Sequence, residues 1–156
     1  MAAPRDHANV AILPPVALAL CVGAAWLADR VWPAPFLPAA WPRWPLGGAL
    51  IALGLATELW ALILFRRART SILPVRPTSA IIEAGPYRYS RNPIYVGMFV
   101  MVVGAAIGLD SFWQFAALVA LYVMIRWGVV AREEAYLAGK FGAEYLDYAR
   151  RVRRWL

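Results

Sequence analysis

The chain has one cysteine, one histidine and one lysine in 156 residues. A lone cysteine excludes an internal disulfide. Cys21 lies inside an apolar run, where a single thiol behaves as a small hydrophobe. The sequence contains no CxxC and no cysteine–histidine spacing suited to zinc, so no metal is expected. Acidic residues are also scarce. Nine Asp and Glu stand against 16 Lys and Arg, and charged residues make up only 16% of the chain. Disordered chains are polar and charge-rich, so that class is excluded. An ordinary soluble domain carries about 25% charged and roughly 45–50% apolar residues, whereas 62% are hydrophobic here. The composition is that of a small helical membrane protein. Its net charge of +7 does not signal nucleic acid. The arginines sit between apolar runs, as in juxtamembrane segments facing anionic lipid.

Apolar stretches of about 20 residues span a bilayer. Four fit in this chain, at about 10–31, 46–65, 94–109 and 112–131. The predicted fold is an all-α polytopic membrane protein, a single membrane-embedded domain over 1–156. It has four transmembrane helices, with five as the alternative count, a motif loop at 66–93 and an amphipathic helix in the tail 132–156. Pro14 and Pro15 should delay the first helix. Residues 32–45 read WPAPFLPAAWPRWP, and five prolines exclude a helix there. Trp32, Trp41 and Trp44 suit an interfacial aromatic belt. Arginines crowd the 66–93 loop and the tail, while the 32–45 loop carries only Arg43. The positive-inside rule therefore puts both termini and the long loop in the cytoplasm, in a bacterial inner membrane.

Small residues mark helix contacts. Gly104 and Gly108 form a GxxxG step on the third span, and Gly48, Ala52 and Ala56 form a stripe on the second. Two charges fall inside spans, Glu58 and Arg126. Each is costly in hydrocarbon unless it has a partner. Counted from the cytoplasmic ends their depths agree to about one turn. They read as an ion pair between spans two and four, as an arginine that snorkels, or as the wall of a polar cavity holding a charged ligand.

The most informative stretch is Gly85-Pro86-Tyr87-Arg88-Tyr89-Ser90-Arg91-Asn92-Pro93-Ile94-Tyr95-Val96-Gly97. Asn92 followed by Pro93 is a helix start, with Asn as the cap and Pro at the first position. Helix N-termini favour anions, and Arg88 and Arg91 add to that. Tyr87, Tyr89 and Tyr95 offer flat faces to a planar ring. Gly97 removes a side chain where something can approach the backbone. A basic interfacial loop with a good cap is the plainer reading. Further on, Leu137, Phe141, Tyr145 and Tyr148 make one apolar face of an amphipathic helix. Gly139 and Gly142 should weaken or split it. Glu133 and Glu134 sit where the fourth span leaves the membrane. Two carboxylates beside arginines suit a zwitterionic or cationic ligand; a solvated helix start is the alternative. The end, Arg150 to Trp155, suits anionic headgroups.

Together the two stretches resemble a known family. GPYRYSRNPIYVG, then a hydrophobic hairpin, then EE with the Leu, Phe, Tyr and Tyr spacing above and a closing RV, is similar to the integral membrane methyltransferases. These form the isoprenylcysteine carboxyl methyltransferase and phospholipid methyltransferase group. The resemblance runs from Gly85 to Val152. It implies S-adenosylmethionine as methyl donor and a lipid-like or small hydrophobic acceptor that enters from the bilayer among membrane lipids. It implies a cofactor site of Asn92, Pro93, Tyr95, Gly97, Glu133, Glu134, Leu137, Phe141, Tyr145 and Tyr148, to which Tyr87, as a stacking face, and Arg88, as a partner for a carboxylate, are added on their chemistry. Glu134 and Arg91 are the expected catalytic pair, with Glu58 and Arg126 as intramembrane charges on the acceptor side or in a structural role. Many members carry histidine where Asn92 stands, and eukaryotic carboxyl methyltransferases carry arginine where Val129 stands. An NADPH-dependent isoprenoid or sterol reductase and a non-enzymatic membrane subunit are the competing readings.

Overall fold

A computed structural model describes residues 6–73 and 76–156; residues 1–5 and 74–75, the latter inside the expected 66–93 loop, lie outside the described residues. The described residues are helical, with no strand beyond an isolated parallel bridge between Ser90 and Arg153. Helix α1 is Pro14–Val31 and α2 is Arg43–Arg67. A short 3-10 turn, Gly85–Arg88, precedes α3, Pro93–Leu109. Helix α4, Trp113–Val123, runs through a π-helical stretch, Met124–Val130, into α5, Ala131–Phe141. Helix α6 is Ala143–Arg151.

Local chemistry sets these boundaries. Pro14 and Pro15 occupy the first turn of α1, where a missing N–H costs nothing. The apolar run ahead of them, from about residue 10, is not helical and bends at Ala11 and Ile12, in keeping with the delay the two prolines impose. It is tied to the π-helical stretch by the Ala11 N–H, which donates to the Gly128 carbonyl at 2.8 Å. Helix α2 starts three residues before the expected Leu46, because Pro45 falls in its first turn and is tolerated there. The break between α5 and α6 is at Gly142, whose φ of +55° suits glycine. Gly139 stays inside α5.

Three helical stretches, Pro14–Val31, Arg43–Arg67 and Trp113–Phe141, are long and apolar enough to cross a membrane; α3 is a shorter apolar helix of 17 residues. Their outer faces expose Leu20, Leu27, Leu53, Leu59, Val119 and Trp127. Such a surface belongs in lipid rather than water. The chain is an integral membrane protein of helical class.

Helices α2 and α3 approach backbone to backbone. A Cβ built on Gly47 would sit 2.6 Å from the Gly104 carbonyl oxygen and 2.7 Å from the Gly108 Cα. One on Gly54 would sit 2.6 Å from the Gly97 carbonyl oxygen. The GxxxG step on α3 is thus a packing surface. The stripe expected on α2 is displaced, however. Gly48, Ala52 and Ala56 are exposed, and nothing lies within 4 Å of a Cβ on Gly48. The contact face runs instead through Gly47, Gly54, Glu58 and Ala61, one residue earlier and roughly 100° round the helix. Composition could not choose between two adjacent small-residue stripes; the partner glycines do. In lipid, close backbone approach supplies packing that the hydrophobic effect does not.

At the far end of the bundle the proline-rich loop is pinned. Asp110 takes a left-handed conformation, φ +51°, that closes α3. Its carboxylate accepts the Phe36 and Leu37 N–H groups at 2.9 and 2.8 Å and pairs with Arg43 at 3.4 Å. Those two amides, with Arg43 beside them, hold its carboxyl below the usual range. Cys21 is buried against α4, with its Sγ 3.7 Å from the Met124 Sδ.

Replacing Gly47 with Ala drives a methyl into the α3 backbone. The variant should lose about 1–3 kcal/mol, read as a lower unfolding midpoint in detergent. Gly48→Ala, one position on, should show no loss.

Candidate functional site

At the end opposite the proline-rich loop, the chain gathers its polar segments. Asn9 accepts from Arg132 Nη1 at 2.6 Å through its carbonyl, and Asp6 pairs with Lys140 and accepts from the Tyr136 hydroxyl at 3.0 Å. Tyr136 also accepts the Thr78 N–H at 3.2 Å. These contacts bring the described part of the N-terminal segment and residues 71–73 and 78–82 over α5. Between them, the start of α3 and α6 lies a cleft with about 840 Å³ of space, counting its open mouth.

Of the residues singled out in the sequence, Tyr87, Arg91, Asn92, Tyr95, Glu133, Glu134, Leu137, Tyr145 and Tyr148 line this cleft. The turn at 85–88 delivers Tyr87, the Asn92–Pro93 start of α3 delivers Tyr95, and α5 delivers the two glutamates. Tyr148 donates its hydroxyl to the Tyr87 carbonyl at 2.9 Å, locking α6 onto the turn. Burial pushes the phenols of Tyr87, Tyr145 and Tyr148 above their ordinary value, so they stay protonated donors.

The two glutamates, equivalent in the sequence, differ here. Glu133 accepts from the Tyr95 hydroxyl at 2.8 Å and has no cation within ion-pair distance among the described residues. Glu134 is claimed twice. Arg154 Nε donates to Oε1 at 2.9 Å and Nη2 to Oε2 at 2.8 Å, and Arg91 Nη1 lies 3.2 Å from Oε1. The Arg91 Nη1 also reaches the Tyr145 hydroxyl at 3.4 Å.

Other expected residues sit elsewhere. Arg88 is exposed beside the turn and is not in the cleft wall. Pro93 is buried in the first turn of α3. Gly97 meets α2, where a Cβ would lie 2.9 Å from the Gly54 carbonyl oxygen and 3.2 Å from the Glu58 Cγ, so its missing side chain serves helix packing. Phe141 packs against the buried Tyr145, Tyr148 and Val152. Asn92 occupies the cap position of α3, but its side chain makes no cap bond; its amide donates to the Arg154 carbonyl at 3.0 Å. Glu58 and Arg126 form no ion pair. The Glu58 Oε1 is buried against α3 without a partner, and Arg126 lies over the Trp127 ring at 5.6 Å. Counting residues from the helix ends does not give the azimuth around each helix, and it is azimuth that decides whether two side chains meet.

Sequence reasoning missed Phe65, the wall formed by residues 71–73, 78 and 80–82, and Arg154. The basic tail, read as a headgroup binder, docks through part of its residues: Val152 is buried, Arg154 reaches Glu134 and Trp155 packs edge-on against Phe99, while Arg150 and Arg151 stay exposed, paired with Asp147 and, at 2.9 Å, with Glu83.

Residues 42–144 match the phospholipid methyltransferase family. The chain is 30% identical to the protein-S-isoprenylcysteine O-methyltransferase B of Arabidopsis thaliana over 125 residues, 75% of this chain and 62% of that one. It is 32% identical to the protein-S-isoprenylcysteine O-methyltransferase of Schizosaccharomyces pombe over 76 residues, 46% of this chain and 30% of that one. A nickel-cobalt-cadmium resistance protein, NccN, of Alcaligenes xylosoxydans xylosoxydans is 36% identical over 77 residues, 49% of this chain and 36% of that one. The chain thus spans under two thirds of the length of each.

Tyr148→Phe leaves the buried Tyr87 carbonyl without its donor. It should cost about 1–3 kcal/mol, read from the detergent unfolding midpoint. Tyr89→Phe, at a residue that is 72% exposed, should change nothing.

Proposed function

Since the chain belongs to the phospholipid methyltransferase family, we propose that it is a membrane methyltransferase that uses S-adenosylmethionine to methylate a lipid-like or small hydrophobic acceptor. In this reading the chain is a single membrane-embedded domain. Its fourth crossing is α3, and the cleft, the termini and the arginines of residues 66–69 face the cytoplasm of a bacterial inner membrane.

One observation carries the reading. One cleft walled by tyrosines holds a carboxylate with no cation paired to it among the described residues, Glu133, and a guanidinium only partly committed, Arg91. S-adenosylmethionine carries an ammonium, a carboxylate and an aromatic base, so the residues present fit it. Glu133 takes the ammonium, Arg91 the carboxylate, and Tyr87, Tyr145 and Tyr148 pack on the adenine. Bound there, it supplies an activated methyl group on a sulfonium. The chain's own work is to orient donor and acceptor in line and to exclude water, which positioning alone makes effective.

The glutamates also bear on the acceptor. With Glu133 on the donor and Glu134 held by two guanidinium groups, neither is free to act as a base. The arrangement therefore suits an acceptor that is already anionic, a carboxylate or a thiolate, entering sideways between helices from the bilayer. An amine acceptor needs a base to remove its proton.

Calorimetric titration of detergent-purified protein with S-adenosylmethionine and S-adenosylhomocysteine tests the reading, with NADPH as control. Micromolar binding of both adenosyl ligands and none of NADPH is expected. Glu133→Gln should weaken adenosyl binding by about tenfold or more. No adenosyl binding by folded protein would overturn the proposal.

A further inference from the structure

We propose that Arg154, three residues from the end of the chain, is a positioning residue that sets how the cleft divides its charges. The inference rests on the reading of the cleft as the methyl-donor site. Arg154 does not line the cleft. It acts through Glu134, gripping both carboxylate oxygens from behind at 2.8 and 2.9 Å.

The bookkeeping of charge follows from the geometry. Arg91, Arg154 and Glu134 form one cluster with two cations and one anion, net +1. Side chains of Arg91 and Glu134 are only 13% and 17% exposed, so solvent screens this surplus weakly. Because Arg154 satisfies Glu134 with a two-pronged bond, Arg91 spends only its Nη1 on that carboxylate; its Nε and Nη2 find no partner among the described residues. The surplus positive charge therefore sits on Arg91, in the cleft wall. Without Arg154, both oxygens of Glu134 would be open to the fork of Arg91. The pair would become neutral, and a ligand carboxylate would lose its partner. Glu133, held by Tyr95 on the other side, would be untouched.

The backbone around Arg154 is built to hold it there. Its carbonyl accepts from the Asn92 amide at 3.0 Å and the Ser90 hydroxyl at 3.3 Å, and the Arg153 carbonyl accepts the Arg91 N–H at 2.8 Å. Trp155 anchors the next position against Phe99 and Tyr122. The tail is thus stitched to the same turn that presents Arg91. Asn92, whose side chain leaves the cap of α3 unmade, has a use in this: it fixes the tail and, through it, the guanidinium.

The test compares S-adenosylmethionine with decarboxylated S-adenosylmethionine, which keeps the ammonium and lacks the carboxylate. Affinities are measured by calorimetry on the full chain in detergent. Wild type should prefer S-adenosylmethionine by about tenfold, the worth of one charge-assisted contact. Arg154→Gln should bring the ratio to about one, by weakening S-adenosylmethionine while leaving the decarboxylated ligand unchanged. Arg154→Lys, which keeps the charge, should retain much of the preference and shows that the tail still docks. An equal drop for both ligands in Arg154→Gln, or an unchanged ratio, would overturn the positioning role. Wild type that binds neither ligand would overturn the donor site itself, a pattern distinct from the other two.

Discussion

The carboxylate of Glu134 is where stretches distant in sequence meet. Arg91 comes from the turn before α3, Glu134 from α5 and Arg154 from the end of the chain. Removing one partner of a half-buried group of this kind leaves charge uncompensated, which costs more than the pair itself is worth. The cleft inherits its shape from this knot. With the tail fastened beneath the 85–92 turn, α6 is brought back so that Tyr145 and Tyr148 face Tyr87 across the space between them. An opening of the tail would dissolve the floor and the charge pattern together.

The knot needs a rigid base, and α2 and α3 provide it. Their glycines let the two backbones touch, with Ile51, Glu58 and Met101 packed into the gaps between them. Tyr95, one of the residues that lines the cleft, stands two residues before Gly97 on the same helix. Its hydroxyl, which holds Glu133, is therefore steadied by a contact made about half a turn along the same helix. Glu58 lies on that same α2 face with one oxygen unpartnered. Packing and chemistry share this surface, and Gly97 belongs to both descriptions: it was read as a place of approach, and what approaches is α2.

Much of this was legible in the sequence because it depends on period and composition. Apolar runs, five prolines in 32–45 and the Asn92–Pro93 start fixed the helices to within a few residues. The tyrosines and glutamates of the cleft stood out by type and spacing. What stayed hidden depends on rotation and on long-range partners. Gly47 and Gly48 are neighbours of identical chemistry, and only α3 distinguishes them. Glu133 and Glu134 likewise differ only in what reaches them. Arg154 looked like one more surface arginine in a basic run, since nothing local marks a residue whose partner lies 20 positions away. Glu58 and Arg126 were matched by counting along two helices, yet such a count says nothing of the angle between their side chains.

The most direct test of a methyl-donor site at this end of the bundle is hydrogen–deuterium exchange of the detergent-solubilised protein with and without S-adenosylhomocysteine. Protection is expected at 71–73, 78–82, 87–95 and 133–148, with the 32–42 loop unchanged. Protection confined to 32–42 and 110–113, or none at saturating ligand, would contradict it.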